Sequence, residues 1–250
     1  MLRYFLEVAY KGTDYSGFQI QKNARTIQSE IERAFQIFWK KPFHLTGSSR
    51  TDSGVHARQN FFHFDTEIPM LQTQLYNLNA ILSSDIVLRK LYKVNSEAHS
   101  RFDATSRTYC YYLHATKNPF LTTTSWYYPF ALDVSYLHQA AALVLKQNNF
   151  MAFSKKNSQV NNYNCFIQNS SWEMQEDGIF IYTITANRFL RGMVRALVAT
   201  MLQVGRGTIG LSEFEAHFYT KKIASANFSS PAHGLFLEKI QYPYSLIPVE

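Results

Sequence analysis

The sequence predicts an α+β fold in which two α/β halves, residues 1–104 and 105–250, share a central, largely antiparallel (mixed) sheet flanked by helices. Three observations lead to this prediction. Segments that alternate with period two are interspersed with segments of helical period in both halves. Hydrophobic residues make up 46% of the 250 residues, as is typical of a globular chain. No linker rich in Pro, Gly or Ser separates the halves, and no short repeat is found.

The first half is predicted to contain three strands and two helices. The chain begins with a strand, because Tyr4, Leu6, Val8 and Tyr10 lie on one face, with Arg3 and Glu7 on the other. A helix follows in TIQSEIERAFQIFWKKP, with Thr26 as N-cap and Pro42 closing it. Strands are predicted in NFFHFDTE and IVLRKLYKV. The apolar stripe of the first helix is Ile27, Ile31, Ala34, Phe35 and Phe38, and that of the second is Leu71, Leu75, Leu78 and Leu82.

The second half repeats the mixture of strands and helices. A strongly β-prone run, SRTYCYYLHAT, precedes a predicted helix in LDVSYLHQAAALVLK. A hairpin is predicted from SSWEMQ and IFIYTITAN, joined through Asp177–Gly178. A last helix is predicted over residues 188–204 and stops at Gly205.

This last helix carries three arginines. Arg188, Arg191 and Arg195 are spaced by three and four residues, which places them on one helical face, while the other faces are apolar or small. Such a helix is expected to be buried, and a buried arginine needs a partner of opposite charge. Two interpretations stay open: a solvated basic edge, or an arginine that meets an acid from another part of the chain.

A candidate acid lies in the polar loop GSSRTDSGVHARQN, residues 47–60. Asp52 is its only carboxylate and stands between Arg50 and Arg58. In a cleft beside an arginine, this carboxylate would be held ionised and could act as a nucleophile or general base. The alternative is a turn residue that hydrogen-bonds its own loop, as Asp before Ser-Gly commonly does.

Charge and composition limit the classes of partner and cofactor. The formal net charge is +7 and is spread over both halves, so a surface for a polyanion must be assembled by folding. Cys110 and Cys165 lack the spacing of a zinc site or a disulfide framework, and we predict no metal. No signal peptide and no run near ~18 apolar residues is found. We therefore expect a cytoplasmic protein that does not enter a membrane.

Five segments resemble, in the expected order, the motifs of the tRNA pseudouridine synthase A (TruA) family. The central one is SSRTDSGVHA, which resembles that family's Arg-Thr-Asp followed by Gly-Val-His. The others are YKGTDYSGFQIQ with TIQSEIERAF, SRFDATSRTYCYYL, NRFLRGMVRALVATMLQVGRG and SSPAHGLFL. The resemblance covers nearly the whole chain and implies the pseudouridine synthase fold.

The resemblance implies that the protein converts uridine to pseudouridine in tRNA. This isomerisation needs no energy source and no cofactor, in agreement with the absence of a phosphate- or dinucleotide-binding glycine motif. Asp52 is implied as the nucleophile, whether by attack at ribose C1′, by attack at base C6 or by a glycal route. Arg195 is implied as its ion-pair partner.

Four further residues are candidates for contact with the RNA. The target base must leave its stack, and the resemblance makes Tyr109 the aromatic that packs against it; by residue type alone Tyr109 reads as a core strand residue. Arg50 would hold the flipped state or contact a phosphate, and Leu235 would give apolar contact to the ring. His56 would contact RNA or fix the loop.

The family's substrate sites are uridines 38 to 40 in the tRNA anticodon arm, and its members act as homodimers. Because the basic residues are spread over the chain, tRNA binding should be electrostatic and should weaken as salt rises. The sequence departs from the family pattern at Phe18–Gln19, Gln59–Asn60, residues 155–172 and Ala199. None of these positions coincides with Asp52, Tyr109 or Arg195. A diverged paralogue with a different RNA site preference is thus one alternative.

Two more hypotheses belong to different functional classes. Asp52-Ser53-Gly54 matches the Asp-Ser/Thr-Gly triplet of aspartic proteases, whose mechanism needs two carboxylates that share a proton. Only one such triplet occurs, so a protease would need a symmetric dimer. A tRNA-binding protein without catalysis would keep the basic surface but would not need an ionised Asp52.

Overall fold

The computed structural model describes residues 1–156, 160, 162–176, 178–220 and 222–250. Its contacts cluster into two compact units. The first comprises Met1–Thr105 and Leu237–Glu250, and the second comprises Ser106–Phe236. One boundary falls at residue 105, beside the predicted one, whereas the final segment packs with the first unit and not with the C-terminal half to which the sequence assigned it.

The described residues contain nine strands and five α-helices, named here in chain order. They are β1 (Leu2–Tyr10), α1 (Ile27–Trp39), β2 (Thr46–Gly47), β3 (His56–Thr66), α2 (Gln74–Ile81), β4 (Ile86–Val94), β5 (Ser106–His114), β6 (Trp126–Tyr127), α3 (Val134–Leu145), β7 (Ile167–Met174), β8 (Ile179–Ala186), α4 (Met193–Gly205), α5 (Leu211–Tyr219) and β9 (Leu235–Gln241).

In the first unit, β1 lies between β3 and β4 and is antiparallel to both. The short β2 pairs with β3, antiparallel. The alternation in sequence predicts one buried face for β1, but both faces are buried, since every residue from Tyr4 to Tyr10 is buried. Strand β3 begins at His56, four residues before the predicted NFFHFDTE, so the polar loop is shorter than expected.

Helix α1 forms as its sequence predicts. Thr26 adopts an extended conformation, and its side chain accepts a hydrogen bond from Ser29 N–H while the Ser29 side chain accepts one from Thr26 N–H, completing a capping box. The helix ends before Lys40, whose φ of 57° is left-handed. Helix α2 is shorter than predicted: Leu75 and Leu78 are buried within it, while Leu71 precedes it and is exposed.

In the second unit, β8 lies between β5 and β7 and is antiparallel to both, and β6 runs parallel to β5. The predicted hairpin is thus β7–β8. Its turn residue Asp177 lies outside the described residues, and Gly178 has a φ of +78°, which favours glycine. Helix α3 begins after Asp133, whose side chain accepts hydrogen bonds from Ser135 and Tyr136 N–H.

The prediction of one helix over 188–204 carrying three arginines on a shared face is wrong. Helix α4 begins at Met193, so Arg188 and Arg191 lie outside it. Gly192 has a φ of +74°, which a right-handed helix does not allow. The carbonyl of Arg191 instead accepts a hydrogen bond from Lys155 N–H at 2.9 Å. Arg195 alone of the three belongs to the helix, where it is half-buried among buried apolar residues.

The α+β class with predominantly antiparallel, mixed strand pairing is confirmed. Helix α5 and strand β9 are additional elements that were not predicted from the sequence pattern. Among the described residues, the longest helices are too short to span a bilayer.

Candidate active site

Asp52 lies in a tight turn between β2 and β3. The N–H of Val55 donates to the Asp52 carbonyl at 3.2 Å, and Gly54, at the third position of this turn, has a φ of +78°. The Asp52 side chain is half-buried, whereas Ser53 beside it is exposed. The turn therefore presents the carboxylate at a partly exposed position while its backbone is fixed.

A second segment, residues 12–18, packs against the Asp52 turn. Phe18 N–H donates to the Thr51 carbonyl at 3.1 Å, and the Ser53 hydroxyl donates to the Tyr15 carbonyl at 3.1 Å. The close approach requires glycine at two places. A Cβ on Gly12 would lie 2.1 Å from the Val55 carbonyl oxygen, and Gly17 has a φ of +93°. Two of the five motifs, YKGTDYSGFQIQ and SSRTDSGVHA, thus form a pair of loops joined by hydrogen bonds.

His56 takes part in this contact between the two loops. It is 1% exposed, and its Nδ1 accepts a hydrogen bond from Gly12 N–H at 3.0 Å. An Nδ1 that accepts a hydrogen bond carries no proton, which leaves Nε2 as the protonated nitrogen of the neutral ring. This burial favours the loop-fixing interpretation of His56 over direct contact with RNA.

A buried polar network lies beneath the loop. The Tyr10 hydroxyl is 2.8 Å from Thr51 Oγ1, and the Asn60 side-chain amide donates to Tyr10 at 3.2 Å and to the Ser49 carbonyl at 2.9 Å. The amide oxygen of Asn60 accepts from the N–H groups of Ser49 and Phe61. Asn60 is 0% exposed. Asn60 therefore links β1 and β3 to Ser49 directly, and it reaches Thr51, the residue before Asp52, through Tyr10.

Sequence reasoning missed the role of this network. It treated Asn60 as a departure from the family pattern and assigned Tyr10 to an apolar face. One signal was available: Asn60 is a polar residue directly before the apolar run FFHF, where a buried carboxamide requires hydrogen-bond partners.

Three motif segments meet in the second unit. The Arg195 Nε donates to the Ser230 carbonyl at 2.8 Å, and the Ser230 hydroxyl donates back to the Arg195 carbonyl at 2.7 Å. The Tyr111 hydroxyl donates to the Pro231 carbonyl at 2.7 Å. A Cβ on Gly234 would come within 2.7 Å of the Tyr111 ring. The SSPAHG segment is therefore held against both α4 and β5.

Two more candidates lie in the same unit. Tyr109 is half-buried in β5, opposite Ile184 of β8, and its ring meets that of Phe189 edge to face at 5.0 Å. Leu235 is buried at the start of β9, directly after a 3-10 turn. The candidates thus divide between the units: Asp52, Arg50 and His56 lie in the first, and Tyr109, Arg195 and Leu235 lie in the second.

Comparison with known proteins gives one consistent result. A family model described as tRNA pseudouridine synthase matches residues 140–243. A protein of Parabacteroides distasonis, named tRNA pseudouridine synthase A, is 42% identical over 252 residues, which are 100% of both chains. Proteins with the same name from Porphyromonas gingivalis and Staphylococcus aureus strain N315 are 39% and 36% identical, over 98% and 96% of this chain and 99% and 90% of theirs. This chain belongs to the tRNA pseudouridine synthase A family.

Proposed function

We propose that this protein isomerises uridine to pseudouridine at positions 38 to 40 of the tRNA anticodon arm, with Asp52 as the nucleophile. The protein is a tRNA pseudouridine synthase, as its family membership indicates. The observation that carries the assignment of Asp52 is its turn: the backbone is held by hydrogen bonds from residues 12–18, and the carboxylate is still partly exposed. A positioned carboxylate of this kind suits covalent catalysis.

The reaction sets clear requirements for the residues. The N1–C1′ bond breaks, the base turns, and a C5–C1′ bond forms; the C5 hydrogen leaves to solvent and N1 gains one. The target base must first be extruded from the loop. Asp52 provides the nucleophile for the bond rearrangement. The C1′, C6 and glycal routes all end in loss of the C5 hydrogen, so a C5 label reports turnover whichever route is followed.

The remaining candidates receive supporting roles in the proposal. Arg195 is the ion-pair partner that orients the Asp52 carboxylate; its guanidinium is positioned by the bond from Nε to the Ser230 carbonyl. Tyr109 packs against the extruded ring, and Leu235 adds apolar contact. Arg50 is exposed beside the catalytic turn and holds the flipped state or contacts a phosphate. The enzyme acts as a homodimer in the cytoplasm.

Release of tritium from tRNA labelled at uridine C5 tests this assignment. We expect release by the wild-type protein and none by Asp52→Asn, with tRNA binding largely retained in both. Asp14→Asn is a matched control, since Asp14 is an exposed carboxylate in the segment that packs on the turn. Equal release by wild type and Asp52→Asn would remove Asp52 as nucleophile. Binding without release by the wild type would favour a non-catalytic tRNA-binding protein.

The choice of uridines is a separate experiment. Mapping pseudouridines in total tRNA with and without the gene should show loss at positions 38 to 40 only. Loss at different positions would identify a paralogue with altered site preference. The family membership sets aside the aspartic-protease hypothesis based on Asp52-Ser53-Gly54.

A further inference from the structure

A cavity of about 300 Å³ opens beside the catalytic turn within the first unit. Its walls come from four separate segments: Phe18 and Gln19, the first turn of α1, strand β2, and the turn at residues 99–102. Arg50 lines it as well. Because Arg50 precedes Asp52 by two residues, their Cα atoms lie within about 7 Å of each other. A group bound in this cavity would therefore lie next to the reacting nucleotide.

The cavity has an exposed aromatic ring at its edge. Phe102 is 74% exposed, although a large apolar side chain is normally buried. The imidazole of His99 packs against its ring, with centroids 4.2 Å apart. The ring is thus supported on one side by His99. The Arg101 guanidinium lies over the ring as well, 5.7 Å from its centroid, and the high exposure of Phe102 leaves ring surface available for stacking.

The turn that carries Phe102 is rigidly held. The N–H groups of Arg101 and Phe102 both donate to His99 Nδ1, at 3.1 and 3.3 Å. His99 N–H and the Tyr244 hydroxyl donate to the same Asp103 carboxylate oxygen, at 2.8 and 2.7 Å. The exposure of Phe102 therefore does not reflect a loose loop, because the backbone on both sides of it is fixed.

The charge of the cavity suits an anion. Among the described residues that line it, Arg50 and Arg101 are cationic and exposed, and no carboxylate is present. An aromatic platform next to arginines is the combination that binds unpaired nucleotides, with the base stacked on the ring and the phosphate held by the guanidinium groups.

We propose that this cavity binds one unpaired nucleotide of the substrate RNA, adjacent in sequence to the target uridine, with its base on Phe102 and its phosphate between Arg50 and Arg101. The proposal rests on the proposed function, since it takes the ligand to be part of the same tRNA. It assigns Phe102 and Arg101 to substrate recognition and leaves the bond rearrangement to Asp52.

The test uses the full-length protein and anticodon stem-loop RNAs in which 2-aminopurine replaces the nucleotide on either side of the target uridine. Stacking on Phe102 should quench the fluorescence in the wild-type complex at one of the two positions. Phe102→Ala should remove that quenching and weaken binding by roughly tenfold, and Phe102→Trp should restore both. Arg101→Gln should lower the slope of log affinity against log salt by about 1.

Matched controls and a second readout keep the result unambiguous. Phe120→Ala and Arg89→Gln remove an exposed phenylalanine and an exposed arginine elsewhere and should match the wild type. Tritium release should show an increased KM in Phe102→Ala, with kcat changed less. The proposal would be overturned if Phe102→Ala equalled Phe120→Ala in binding, quenching and KM. It would also be overturned if Phe102→Ala converted the proposed homodimer to monomers. Absence of tritium release by the wild type would instead overturn the proposed function, because quenching is measured without turnover.

Discussion

Asn60 shows how one buried carboxamide can support the loop of the proposed nucleophile, Asp52, without touching that residue. All of its polar capacity is used on groups around the Asp52 loop: the backbone of Ser49, the N–H of Phe61 and the hydroxyl of Tyr10. Tyr10 in turn is hydrogen-bonded to the side chain of Thr51. We infer that this network sets the position of the loop, since Asn60 holds groups of the loop and of two strands at once.

Replacement of Asn60 by Ala should therefore impair both stability and catalysis. The change removes the four side-chain hydrogen bonds of Asn60, which should lower the free energy of unfolding by about 1–3 kcal/mol, measured by urea denaturation. The loop would shift, so kcat in the tritium assay should fall by roughly tenfold to a hundredfold. Asn79→Ala is the control: Asn79 makes a similar pair of hydrogen bonds to the backbone of Leu88, away from the loop. If both variants lose stability and neither loses kcat, Asn60 has no positioning role.

Arg195 is expected to be essential for the reaction. Arg195→Met removes the proposed partner of Asp52, and kcat/KM should fall by roughly two orders of magnitude. The same change breaks the bond to the Ser230 carbonyl, so some stability should also be lost. Ser230→Ala separates the two effects, since it removes a hydrogen bond to the Arg195 carbonyl and keeps the guanidinium. A fully active Arg195→Met would exclude Arg195 as the partner of Asp52.

At the scale of elements, the site in the first unit depends on two loops that approach more closely than side chains allow. The segment between β1 and α1 lies on the turn between β2 and β3, with backbone hydrogen bonds between Phe18 and Thr51. Gly12 faces the Val55 carbonyl directly. Gly12 and Gly17 therefore allow the first loop to approach the backbone of the second.

Gly12→Ala tests this dependence. A Cβ 2.1 Å from the backbone oxygen of Val55 forces the loops apart, so we expect a loss of stability of about 1–3 kcal/mol and a strong loss of tritium release. Gly210→Ala is the control, because no atom lies within 4 Å of its added Cβ. Wild-type activity in Gly12→Ala would show that the contact between the loops is not required.

Across the whole molecule, several histidines are buried or half-buried, which lowers their pKa values. The pKa of His63 is lowered from an ordinary value of 6.5 to about 4, chiefly by burial; the nearby charges of His99 and Arg3 contribute to the lowering, and Asp65 and Asp103 oppose it. Burial also lowers the pKa values of four others: His99, His114, His217 and His233. Each of these shifts makes the folded chain bind a proton less readily than the unfolded chain does, so each lowers stability as pH falls.

We therefore expect stability to fall on mild acidification. The unfolded chain takes up a proton on His63 near pH 6.5, and the folded chain does so only near pH 4. Between these values protons bind the unfolded state preferentially, so the urea midpoint should fall as pH falls through this range and then level off for this group. His63→Gln should give a shallower pH dependence than the wild type. Identical slopes would show that His63 does not contribute.

The elements with a clear local period could be predicted from the sequence alone. Strand β4, helix α1 with its Thr26 cap, and the β7–β8 hairpin follow from patterns a few residues long, because burial of one face imposes that period. Strands β1 and β5 were predicted as well, from alternation and β-prone residues, although β1 is buried on both faces. The family was also accessible, since five motifs in order identify it, and the role of Asp52 stays a prediction from one of those motifs. These elements and motifs can be read from residues that are close together in the sequence.

Only the tertiary structure decided how distant residues meet. It placed the start of the predicted arginine helix after Gly192, because Gly192 has a positive φ and Lys155 N–H donates to the carbonyl of Arg191. It brought Asn60 to Tyr10, 50 residues away, and Arg195 to Ser230, 35 residues away. The reason is physical: a buried polar group must find a partner, and folding brings that partner from anywhere in the chain. Asp52 could thus be identified from its motif, whereas the groups that hold its loop in place could not.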